Sequence, residues 1–181
     1  MTSKIKISLI LIISFLSNSY SQESPSVEKN QFKINVILPG FVYEHGFTNK
    51  NTLYSELSIG LAYRKSFFYD EATWSFLPVI NEQFRHYYNL DKRADLGKRT
   101  AHNSGNFLAL NAIYNFESLS TNNSYSESTS SFTIAPVWGL QRTYKGGFNL
   151  GFNAGIGYNI DKYENDFVPV VNFSLGWVLG K

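Results

Sequence analysis

From Phe148 to Tyr158 the chain alternates without a break. Phe148, Leu150, Phe152, Ala154, Ile156 and Tyr158 fall on one parity, and Asn149, Gly151, Asn153, Gly155 and Gly157 on the other. Successive strand side chains point to opposite faces, so this is one strand with an apolar face and a small polar face. Its length suits a tilted crossing of a bilayer.

The same alternation recurs along the chain. Phe32 to Leu38 carries Phe32, Ile34, Val36 and Leu38 on one face. Phe41 to Phe47 places Phe41, Tyr43, His45 and Phe47 together, with Glu44 opposite. Leu53 to Tyr69 sets Leu57, Ile59, Leu61 and Tyr63 outward against Glu56, Ser58, Gly60, Ala62 and Arg64. Trp74 to Asn89 is aromatic and strand-like, with a muddier alternation. Gly105 to Glu117 collects Leu108, Leu110, Ala112, Tyr114 and Phe116. Phe132 to Tyr144 joins Phe148 to Ile160 through Lys145-Gly146-Gly147, a tight hairpin signal. Phe167 to Gly180 closes the series with Val171, Phe173, Leu175, Trp177 and Leu179 outward and Asn172, Ser174 and Gly176 inward. Between strands, Asp91 to Thr100 reads as a charged turn or single helical turn, and Ser118 to Ser130 as a solvated Ser/Thr/Asn loop.

Seven of these segments are long enough to span, and single-chain bacterial barrels use an even number of strands. A split of 32–47 at Pro39-Gly40 supplies the eighth. The alternative is one long strand kinked at Pro39. The split predicts an all-β, antiparallel up-and-down transmembrane β-barrel with both termini at one end. It assigns Thr48–Thr52, Leu90–Ser104 and Lys145–Gly147 to the periplasm. Tyr69–Thr73, Ser118–Ser130 and Asp161–Asp166 then face the exterior.

Composition adds the compartment. Lys4 and Lys6 precede an apolar run from Ile7 to Leu16, and Ser19-Tyr20-Ser21 places small residues where a signal peptidase cuts. Residues 1–21 are therefore expected to be a signal peptide. A polar, disordered leader is expected over 22–31, and the barrel over 32–181. The chain has no Cys, which excludes disulfides, a lipoprotein anchor and thiolate metal sites. The net charge of +2 argues against a nucleic-acid partner. Aromatic residues make up 17%, and rings at strand ends favour the headgroup level of a membrane.

The runs Phe84-Arg85-His86-Tyr87-Tyr88-Asn89-Leu90, Lys92-Arg93, Gly97-Lys98 and Asn103-Ser104-Gly105-Asn106-Phe107, with the closing Phe173-Ser-Leu175-Gly-Trp177, resemble small outer-membrane β-barrel proteins of Gram-negative bacteria. The resemblance covers the mature chain and implies an outer-membrane location, with outer-membrane lipid and the barrel-insertion machinery as partners. It implies little about activity, because that family is mostly uncharacterised. One departure is the end Leu179-Gly180-Lys181, where such barrels usually finish on an aromatic residue.

Candidate chemistry is sparse. Glu44, Glu56, Arg64 and Arg85 fall on inward positions and are expected to gather in the lumen, either as an ion or proton path or as an ion-pair plug. Buried charges in so narrow an interior must pair or cost several kcal/mol per ion, which favours the plug. His102 and Ser104, two residues apart with Glu117 downstream, are similar to the His–Ser–acid arrangement of outer-membrane lipid A deacylases. Against that, Gly105 and the basic surroundings favour a turn capped by Asn103 and Ser104. His45 and His86 sit among aromatics, and the spacing of the three His fits no metal motif. Lys92, Arg93, Lys98 and Arg99 suit a solvated turn, or contact with anionic headgroups or a periplasmic partner. Inward glycines at 60, 139, 151, 155, 157 and 176 are expected to make room for larger neighbours in a closed, filled lumen. No cofactor is expected. Three functions follow: a non-enzymatic outer-membrane barrel with a structural or surface role, a lipid-modifying barrel enzyme, or a soluble periplasmic carrier with its apolar faces inward.

Overall fold

A computed structural model describes residues 25–65, 72–121 and 129–180, and side chains within them except at 62–65, 72–73 and 120–121. The expected signal peptide and the first residues of the expected leader lie outside the described residues, as does most of the Ser118–Ser130 loop.

The strands are β1 (Asn30–Asn35), β2 (Gly40–Gly46), β3 (Asn51–Lys65), β4 (Ala72–Tyr87), β5 (Asn106–Asn115), the two-residue β6 (Ser120–Thr121), β7 (Ser131–Thr143), β8 (Phe148–Asp161) and β9 (Asn165–Leu179). One short helix, α1 (Leu90–Asp95), lies between β4 and β5. Leaving β6 aside, each strand pairs antiparallel with its sequence neighbours, and β1 pairs with β9. Eight antiparallel strands thus close into a ring. The chain turns at 36–39, so Phe32–Phe47 is two strands, with Pro39 in the turn where its missing N–H costs no ladder bond. Gly146 and Gly147, at φ 83° and 82°, let the chain reverse between β7 and β8.

Side chains divide by parity. Leu57, Phe84, Leu108, Leu110, Ile134, Ile156, Val171 and Phe173 are exposed on the outer face. Lys33, Glu44, Glu56, Gln83, Arg85, Asn111, Gln141, Asn149 and Asn153 are buried inside. Gly139 illustrates the inward glycines, since a Cβ there would stand 2.4 Å from the Phe107 ring.

One end of the ring carries residues 25–29, the end of β9 and the turns at 47–50, 88–105 and 144–147; we call it the lower end. There the structure departs from the expected leader. β1 already starts at Asn30, Val27 is buried, and Val27 N–H donates to the Asn49 carbonyl at 3.0 Å. The turn after β4 also differs from a wholly solvated one. Its charged residues face out, yet Leu90 is fully buried with Val27, Tyr87 and Phe107. This apolar cap closes the lower end. Replacing Leu90 with Ala should lower unfolding free energy by about 2–5 kcal/mol, the usual cost of a buried leucine. Urea unfolding of the folded chain checks this, and a shift below about 0.5 kcal/mol would mean the turn is a solvated appendage.

Candidate functional site

Above the cap lies a layer of charge. Its members sit at inward positions of β1, β2, β3, β4 and β7, brought level by the antiparallel registers. Glu44 on β2 is the centre. Its carboxylate accepts from Lys33 Nζ at 3.0 Å, Thr52 Oγ1 at 2.8 Å and Tyr87 Oη at 2.9 Å. Arg85 Nη1 stands 3.8 Å from the same carboxylate. Gln141 on β7 ties the cations across the lumen, its Oε1 accepting from Lys33 at 2.7 Å and Arg85 at 3.1 Å. Arg85 Nε donates to Gln83 at 2.9 Å. The Arg85 guanidinium also lies between two rings, 3.6 Å from the Tyr54 centroid and 4.4 Å from that of Phe107. A planar cation suits that slot in a way Lys would not.

Glu56 sits outside this group. It accepts from Asn35 at 2.7 Å, Tyr54 Oη at 3.0 Å and Asn81 at 3.2 Å, and no cation pairs with it among the described residues. The four residues expected to gather therefore divide. Glu44 and Arg85 meet, Glu56 is satisfied by neutral donors, and the side chain of Arg64 lies outside the described residues. Lys33, which the sequence reading passed over, completes the pair. Its signal was its place between Phe32 and Ile34, where a charge on the inward parity needs a partner. Among the described residues the buried charges then balance, with Lys33 and Arg85 against Glu44 and Glu56. The space left at this level is about 10 Å³, no more than a single water needs. The arrangement is a plug.

His102, Ser104 and Glu117 do not assemble. Ser104 is buried and its Oγ accepts the Thr143 N–H at 2.8 Å. His102 Nδ1 lies 3.8 Å from Glu28, not beside Ser104. Glu117 follows the upper end of β5, whereas His102 and Ser104 precede its lower end, roughly 30 Å away at ~3.4 Å per residue. His102 and Asn103 are left-handed, at φ 55° and 57°, as in a tight turn. The turn fastens the chain's start: Asn103 Oδ1 accepts the Glu28 N–H at 2.7 Å, and Glu28 accepts the His102 N–H at 2.9 Å. His45 stacks edge-on to Phe47 at 5.1 Å, and His86 hydrogen-bonds Asn51 at 2.7 Å.

The upper half of the lumen differs from the filled interior that the sequence suggests. It is a cup of about 610 Å³, walled by Leu77, Val79, Ile113, Val168 and Val170, with Asn115, Ser131, Thr133 and Asn159 near the mouth. Of the inward glycines only Gly60 lines this cup, and at each of the six a Cβ would stand within 3 Å of a neighbouring atom, as expected of glycines that make room for their neighbours. Comparison with protein families, curated proteins and solved structures finds no match for the chain.

Replacing Glu44 with Leu leaves Lys33 and Arg85 buried without their anion. Stability should fall by about 3–5 kcal/mol. Adding Lys33→Met should recover part of the loss, which a double-mutant cycle by urea unfolding measures. Loss below about 1 kcal/mol for Glu44→Leu alone would contradict the plug.

Proposed function

We propose that this chain is a non-enzymatic β-barrel of a bacterial outer membrane, carrying a polar plug in its lower lumen. The observation that carries the reading is the reversal of the usual burial: charged and amide side chains are inside the ring, and large apolar side chains cover its outside. Soluble proteins rarely expose contiguous apolar patches larger than a few hundred Å². A hydrocarbon environment inverts that preference, and it accepts a closed ring of strands because the ladder satisfies the backbone.

Ring placement supports the same reading. Near the lower end, Tyr43, Phe47, Tyr144, Phe148 and Trp177 are outward, and Trp138 Nε1 donates to Tyr88 Oη at 2.9 Å. Toward the upper end stand Trp74, Tyr114, Phe116, Tyr158 and Phe167. Aliphatic Leu57, Ile80, Leu108, Leu110 and Ile134 lie between. Two aromatic belts around an aliphatic band match the two interfaces of a bilayer. A soluble carrier would need the opposite orientation, and a deacylase would need His102 and Ser104 in contact. The resemblance to small outer-membrane barrels of Gram-negative bacteria, the basic and apolar start of the chain, and partnership with outer-membrane lipid and the insertion machinery belong to the same proposal.

The test is fractionation of the full chain expressed in a Gram-negative host. The protein should sediment with outer membranes, need detergent for extraction and show a heat-modifiable gel shift. Recovery in the soluble periplasmic fraction without detergent would overturn the reading. In vesicles, Leu110→Arg should cost about 2–4 kcal/mol, as a cation does near the middle of a bilayer, and Ser104→Ala should leave lipid A unchanged in mass spectra.

A further inference from the structure

The wall of the ring has a gap. Pairing of β2 with β3 ends at Gly40 opposite Ser58, followed by one bond from the Ile59 N–H to the Pro39 carbonyl at 3.0 Å. Pairing of β1 with β9 ends at Asn35 opposite Gly176, followed by one bond from the Val36 N–H to the Leu175 carbonyl at 2.8 Å. Above this level β3 runs on to Lys65, and β9 begins as far up as Asn165. Among the described residues, β3 pairs over those lengths only with β4, and β9 only with β8. The short β1–β2 hairpin therefore leaves a notch, with the 36–39 turn as its sill.

Backbone direction fits an open edge. Backbone groups alternate sides along a strand, and the Leu175 carbonyl points toward β1. Those of Phe173, Val171, Pro169 and Phe167 therefore point into the notch. Pro169 brings no N–H to it, and proline within a sheet belongs on such an edge. Side-chain exposure agrees: Val171 is 68% and Leu61 46% exposed, so the flanks lie on the apolar outer surface.

The interior reaches this notch. A cavity of about 160 Å³ touches inward Glu56, Ser58 and Asn81, and also outward Leu38, Val171 and Phe173. The cup above it touches both Ile113 inside and Leu61 outside. One space can border both faces of a wall only where the wall is interrupted.

We propose that the notch is a lateral entrance through which the alkyl chain of an amphiphile passes from the bilayer into the cup. The lining chooses the occupant. Directly below, the lumen holds the polar plug, but here Leu77, Val79, Ile113, Val168 and Val170 make an apolar sleeve continuous with the apolar exterior. Asn115, Ser131, Thr133 and Asn159 at the mouth, with the carboxylate of Asp161 beside them, would meet a polar headgroup. The volume falls in the ~300–1,000 Å³ range of ligand sites. The plug below stops the chain from passing through. This inference rests on the membrane reading.

The test uses the full chain in phosphatidylcholine vesicles containing a palmitate with a terminal diazirine, followed by photolysis and peptide mapping. Label should concentrate at Val79, Ile113 and Val170, and exceed that at outward Leu108 and Leu110 on the far side. Filling the cup with Ile113→Trp, or independently with Ser131→Trp, should cut interior label roughly tenfold while exterior label and the gel shift persist. Failure of the chain to float with vesicles would remove the membrane reading and the entrance together. Flotation with label spread evenly over the outer face and absent from the interior would remove the entrance alone.

Discussion

Closing eight strands on themselves gives every strand one face in a narrow interior and one face outside. Everything else in this molecule follows from how those two faces are filled. A narrow lumen has room for few side chains, so the charges placed there must find each other. Glu44 does this with donors from β1, β3 and β4, and Gln141 links the cations from across the ring. Such a network holds the strands in register, because sliding one strand by a residue would turn its charge outward. The outer face carries the complementary pattern, an apolar cover that the proposed membrane location would bury in hydrocarbon.

The strands and their inward and outward faces were legible from alternation alone, because both sides of each strand differ sharply in polarity. The turn at Pro39-Gly40 was legible from its chemistry. Trp74–Asn89 was muddier for a physical reason. Leu77 and Val79 point into the apolar sleeve, so both faces of that strand are apolar at its upper end. The binary pattern fades wherever the lumen itself turns apolar.

The candidate site was half legible. Parity identified Glu44, Glu56 and Arg85 as inward, but parity says nothing of level along the ring. Register decides level, and it sets Glu56 with Asn35 and Asn81 while Glu44 meets Lys33 and Arg85. The buried Leu90 was hidden because a lone leucine beside six charged residues (91–99) gives no periodic signal. The gap between β3 and β9 is a difference in strand length, which appears only once both partners of each edge are known. Its interest is that it joins the two faces the rest of the ring keeps apart.

The measurement closest to the centre of this account is a spin-label accessibility scan, made simple by the absence of native cysteine. Single labels at Leu57, Leu110, Ile134, Phe152 and Phe173 in vesicles should be reached by oxygen, which dissolves in the bilayer, and shielded from a water-soluble nickel chelate. Their neighbours at Asn111 and Asn153 should be reached by neither. The opposite phase, with the first set shielded from oxygen and open to the aqueous reagent, would contradict the account.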